Sequence, residues 1–201
     1  MKRIVLFFLL VSGFVLAFSQ GFNAELLLGA NFSQVDGDQL GGYNKLGLNT
    51  GIQINRKISD DWEGAFELRY SMKGAKKVID PEAPPTFTLK LNYQYVEVPL
   101  LAKFTRFDPL TLYAGPSIGV NVQNEREENG IKTSETELNK TEIGFHLGGT
   151  YYLNQNIGLD LRHSYSLFSV TEKNARSIGP SWFNRTGWYN RLFTIGVVYV
   201  P

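Results

Sequence analysis

Cysteine is absent from the 201 residues, and histidine occurs only twice. The first absence excludes disulfides, thiol nucleophiles, Cys-ligated metal sites and a lipid anchor on a cysteine after the leader. The second lets every histidine site be checked: His146 and His163 fall on opposite faces of extended segments, so they cannot share a zinc ion. Charge is scarce at 19% of residues and nearly balanced, since 18 basic residues stand against 19 acidic ones once Lys2 and Arg3 of the leader are set aside. No basic patch or stripe remains, which argues against a nucleic-acid partner. Gly41-Gly42 and the other glycines lack the strand-to-helix setting and the Lys-Ser/Thr of a phosphate loop, and no residue pattern asks for a cofactor. Helical periodicity long enough for a plug or a second domain is missing as well.

The N-terminus reads as a secretory leader. Lys2 and Arg3 precede an apolar run from Ile4 to Val15, and Ala17-Phe18-Ser19 puts small residues where a signal peptidase reads. The apolar run is shorter than the ~20 residues a helical span needs. Cleavage is therefore expected after Ser19, leaving residues 20–201 as one domain.

What is abundant is glycine, at 20 residues, and aromatics, at 13%. They are arranged with a period of two. In Leu110 to Gln123, Leu110, Leu112, Ala114, Pro116, Ile118, Val120 and Val122 share one parity, and small or polar residues take the other. An extended strand sends alternate side chains to opposite faces, so this segment has one apolar and one polar side. Seven further segments repeat the pattern: Phe22–Ser33, Leu46–Ile54, Trp62–Lys73, Leu89–Phe104, Glu142–Tyr152, Ile157–Leu167 and Tyr189–Val200. Within Leu89–Phe104 the apolar parity switches, which reads as a β-bulge near Tyr95 and Val96. Connections alternate long and short, and the most polar of them, NEREENGIKTSETELNKTE, reads as a solvated loop. The expectation is an eight-stranded antiparallel up-and-down transmembrane β-barrel of the outer membrane, with long loops outside and both termini periplasmic. A mean hydropathy of -0.17 fits, because only alternate strand residues meet lipid.

A soluble lipocalin-like barrel has the same period with its faces reversed. The glycines favour the membrane barrel: Gly29, Gly47, Gly51, Gly115, Gly119, Gly144, Gly148 and Gly158 share the polar parity, as suits a cramped lumen. Glu25, Glu67, Arg69, Lys73, Glu97, Lys103, Asp160 and Arg162 share it too and carry both signs, so they are expected to form a structural ion-pair network inside. Trp62, Tyr93, Tyr95, Tyr151, Tyr189 and Tyr199 are expected to supply interfacial girdles on the lipid side. A lumen so filled argues against an open pore.

Tyr95-Val96-Glu97-Val98-Pro99-Leu100-Leu101-Ala102-Lys103-Phe104 and Tyr113-Ala114-Gly115-Pro116-Ser117-Ile118-Gly119 resemble the paired central motifs of the PorT-like outer-membrane β-barrel family of Bacteroidetes. Gly29 to Ser33 and Leu161 to Tyr165 extend the resemblance over the mature chain. It implies an eight-stranded outer-membrane barrel and brings in the accessory role in protein secretion of the family's namesake.

Chemistry finds little purchase. A lipid-modifying barrel enzyme needs a nucleophile beside a base, but Ser164 follows His163 directly and so points to the other face, which leaves only a serine on a neighbouring strand. His146 falls among lumen charges, where a hydrogen-bonded core histidine is expected. The reading is a non-enzymatic barrel with outer-membrane lipids around it and secretion or envelope proteins as partners. Its contact candidates are loop aromatics: Tyr43, Trp182, Phe183 and Trp188. A lipid-modifying enzyme, a narrow channel and a secreted soluble binder are the alternatives.

Overall fold

Period-two alternation leaves each segment one face for hydrocarbon and one for its own kind, and closing the sheet into a ring satisfies both while abolishing free edges. The computed structural model describes residues 21–38, 41–77, 88–134, 138–171 and 187–201. The expected leader, Trp182 and Phe183 lie outside the described residues. The strands are β1 (Phe22–Asp36), β2 (Lys45–Lys57), β3 (Trp62–Lys76), β4 (Leu89–Phe107), β5 (Leu110–Glu128), β6 (Ile131–Thr133), β7 (Thr141–Tyr152), β8 (Ile157–Ser166) and β9 (Tyr189–Tyr199). Among the described residues, eight of them pair antiparallel around a closed ring, β1-β2-β3-β4-β5-β7-β8-β9, with β9 returning to β1. Short β6 stands outside the ring, paired to the far end of β5.

The faces are inverted relative to a water-soluble protein. Leu28 and Leu161 are 62% and 57% exposed on the outside, whereas Glu67 and Arg162 are 0% and 1% exposed within. Such an exterior is stable only against acyl chains. The short turns at 58–61, 108–109 and 153–156 lie at the end that carries Phe22 and Tyr199, and the long connections lie at the other.

Three local features differ from the sequence expectation. In β4 the buried residues run without a break from Leu91 through Tyr93, Tyr95, Glu97 and Leu101 to Lys103, so the strand does not change face. The irregularity is where expected along the chain, between Gln94 and Tyr95, but the extra residue is Val122 on β5: Gln94 pairs Gln123 and Tyr95 pairs Asn121. Tyr93 and Tyr95 are therefore lumen residues and not part of a girdle. Tyr189 is buried too, stacked on Tyr165, while Trp62, Tyr151 and Tyr199 are exposed on the wall. Finally, β5 continues through Glu125 to Glu128, pairing with β4 and β6, so the start of the charge run is sheet and not loop. A strand needs only ~9–11 residues to cross a bilayer. The 19 residues each of β4 and β5 consequently rise well beyond it.

Small residues make room inside. A Cβ added at Gly148 would lie 2.5 Å from the Tyr113 hydroxyl and 2.6 Å from the Leu161 carbonyl. Gly148→Val is expected to displace Tyr113 and to destabilise the barrel by about 1–3 kcal/mol, the usual cost of overpacking. The shift in urea midpoint of the heat-modifiable gel band measures it, and an unchanged midpoint would contradict the packing described.

Candidate functional site

The lumen is filled in layers, each braced across the barrel. Nearest the short turns, Glu25 accepts from Gln53 Nε2 at 2.7 Å, Asn55 Nδ2 at 2.6 Å and Tyr152 Oη at 3.0 Å, and it pairs with Lys103 at 3.3 Å. In the middle, Arg162 on β8 holds Glu67 on β3 through two bonds of 2.8 Å, Nη1 to Oε2 and Nη2 to Oε1. Arg69 donates to the same carboxylate at 3.0 Å and to Asn49 Oδ1. Tyr113 accepts from Arg162 Nε at 2.9 Å and donates to Asp160 at 2.6 Å, which Thr150 also reaches at 2.9 Å. Above this, Lys73 joins Glu97 and Glu142, the latter at 2.8 Å, and Ser166 and Asn190 complete the Glu142 carboxylate. The Lys73 ammonium also sits 4.7 Å from the Tyr95 ring centroid.

An apolar cap closes the upper end. Val35, Ala75, Leu91, Tyr93, Tyr95, Leu138 and Val170 cluster there, with Leu89 and Trp188 packed against them. Below the cap, a void beside Asn49, Arg69 and Asp160 measures about 10 Å³. That is room for about one water.

All eight charged residues expected inside are there, with exposures from 0% for Glu67 to 7% for Asp160. Glu142, Tyr113 and the amide ladder of Asn31 and Asn49 were not in the expected network, though their parity marks them: each shares a face with lumen glycines. His146 is buried between two serines, with Nδ1 2.7 Å from Ser164 Oγ and Nε2 2.8 Å from Ser117 Oγ. His163 lies on the outer wall, its cross-strand partners are Leu147 and Phe193, and its ring packs on Phe193 at 4.8 Å. Among the described residues, no serine on a neighbouring strand stands opposite it. Among the described residues no group of three His, Asp or Glu side chains is placed to hold a metal ion. Of the loop aromatics, Tyr43 folds back on the wall, edge-on to Phe193 at 5.1 Å and 5.4 Å from the Arg191 guanidinium. Trp188 packs against the cap.

A family model described as "Outer membrane protein beta-barrel domain" matches residues 18–172. The chain belongs to that outer-membrane β-barrel family. Among solved structures it is similar to Neisserial surface protein A, at 16% identity over 90% of this chain and 100% of that one with a TM-score of 0.58. It is also similar to Ail, the attachment invasion locus protein of Yersinia pestis, at 14% identity over 89% and 97% of the two chains with a TM-score of 0.52. At such identities the likeness is one of fold. Among curated proteins no sequence matches it. Inside-out burial, ring closure and family membership together make this an outer-membrane β-barrel.

The bidentate bond between Glu67 and Arg162 should dominate its stability. Glu67→Ala leaves Arg162 and Arg69 buried without their carboxylate, and a loss of about 3–5 kcal/mol is expected. Asp61→Ala, which breaks the exposed pair with Arg106 at 3.4 Å, should cost under about 1 kcal/mol. Urea unfolding in detergent compares the two, and equal losses would show that the lumen pair is not the brace described.

Proposed function

We propose that this outer-membrane barrel is neither a channel nor an enzyme but a rigid display scaffold, with both termini periplasmic and its long loops outside, interacting through those loops. The observation that carries the reading is the filled lumen. Among the described residues, three tiers of ion pairs and hydrogen bonds cross it, an apolar cap packs above them, and the void beside Asn49, Arg69 and Asp160 holds about one water. A solute path would have to break buried pairs at several kcal/mol each. The wall supports the non-catalytic half of the reading, because His163 faces leucine and phenylalanine and no nucleophile.

With the interior and the wall accounted for, the long connections and the raised parts of β4, β5 and β6 are what is left to meet partners. Outer-membrane lipids surround the wall, and an envelope or secretion protein is the partner class that fits an extracellular or rim contact. The accessory role in secretion rests on the resemblance to PorT-like barrels.

The absence of cysteine makes orientation directly testable. Lys132→Cys, on β6, should react with a membrane-impermeant maleimide in intact cells, and Gln155→Cys, in a short turn, only after the outer membrane is permeabilised; the reverse result would invert the topology. Purified protein in planar bilayers should give no discrete conductance steps. Steps that persist after removal of contaminating porins would overturn the closed-lumen reading.

A further inference from the structure

One cluster of charge is left over after the lumen network is complete. Lys45, at the first residue of β2, is only 4% exposed, and its ammonium donates to a backbone carbonyl, Leu46 O at 2.9 Å. Among the described residues, no carboxylate forms an ion pair with Lys45 or with Lys76. The ammonium groups of Lys90 and Lys76, both of its own sign, act on that of Lys45. Lys76 and Lys90 are direct cross-strand partners at the loop end of β3 and β4. Like charges directly opposed in an antiparallel pair repel and destabilise it. Among the described residues, the carboxylate paired with this cluster is Glu127, on the far side of Lys90 at 3.9 Å. Lys76 and Lys90 on the outer parity, with Lys45 buried on the inner one, thus have a single ion pair among the described residues, that of Lys90 with Glu127, in a protein whose other buried cations are matched with carboxylates at 3.3 Å or closer.

The place of this cluster says what kind of anion would settle it. Leu46, the residue after Lys45, is 63% exposed on the apolar wall, and Leu48 follows on the same face. The lysines therefore begin where the hydrocarbon band ends and climb from there along β3 and β4. A free anion in solution would gain nothing from that wall, whereas an amphiphile would lay its chains on it and set its headgroup among the lysines. We propose that Lys45, Lys76 and Lys90 form a binding site for the phosphate of a phosphorylated outer-leaflet lipid whose acyl chains lie on the wall at Leu46 and Leu48. Lys76 and Lys90 reach the phosphate, and Lys45 adds its charge from beneath. The proposal rests on the loop end facing outward, as in the reading above.

The test uses the full chain, refolded and delipidated in zwitterionic detergent, with native mass spectrometry as readout. Lipid A, the same lipid stripped of its phosphates, and inorganic phosphate are the three probes. Phosphorylated lipid A should bind at least tenfold more tightly than the stripped form, with affinity falling as salt is raised. Lys76→Gln together with Lys90→Gln should weaken it by roughly 25-fold, at about fivefold per lysine. Arg56→Gln with Lys57→Gln, two exposed cations at the opposite, short-turn end of β2, should leave it unchanged. Adding Lys45→Gln should weaken it further; if that variant does not fold, the rim pair alone carries the test. Equal binding of both lipids, equal loss in the Arg56/Lys57 control, or inorganic phosphate binding as tightly as the lipid would each overturn the proposal. Heat-modifiable migration separates the two levels: a folded barrel without phosphate selectivity removes this site alone, and reversed cysteine labelling removes the orientation it depends on.

Discussion

One contact across the barrel sets the terms for everything else: Arg162 on β8 gripping Glu67 on β3, strands that stand diametrically opposite in the ring. An eight-stranded barrel is just wide enough for side chains to meet in the middle. In a hydrocarbon surround, a buried guanidinium without its carboxylate would cost several kcal/mol. The strands must therefore keep their register to within one residue, since a slip by one would turn Arg162 out into lipid. Gly148 follows from the same constraint. It leaves space for Tyr113, which in turn holds Arg162 Nε and Asp160 in line. Lys73 with Glu142 and Lys103 with Glu25 repeat the bracing above and below, each joining strands that are not neighbours.

The same arithmetic explains what could be read from the sequence. The strand count, their antiparallel ring and the inside-out polarity all follow from a period of two, because lipid tolerates no charge on the outer parity. Glu25, Glu67, Arg69 and Arg162 declare themselves by the company they keep with glycine. Tyr93 and Tyr95 do not, because above the ion tiers the interior becomes apolar and polarity no longer marks the inside. Their aromatic rings look like lipid-facing residues, and the apparent switch of face in β4 is an artefact of that. The one-residue excess is real but belongs to Val122 on the partner strand, which pairing alone reveals. Glu125 to Glu128 mislead for the opposite reason: a run of charge reads as loop, yet beyond the bilayer a strand can be solvated on both faces.

A closed interior also narrows where evolution could have placed an activity on this scaffold. The shared fold with Neisserial surface protein A and Ail extends over nearly the whole of those chains. Fold likeness of that kind concerns the wall and the lumen, where the physics is shared. Differences among such barrels are free to accumulate at the two ends, and in this chain the loop end is by far the larger.

That end has a stiff element. Asn129 and Gly130, at φ 49° and 82°, form the tight two-residue reversal that joins β5 to β6. Thr88 and Asn129 then tie the tip to the start of β4 through backbone and side-chain bonds of 3.0 Å. The result is a three-stranded mast in place of a tether. A docking molecule would find its charges already fixed in space, with no chain left to freeze on contact. Height above the bilayer comes with it, holding the tip farther from the wall than a floppy turn of equal length could stay.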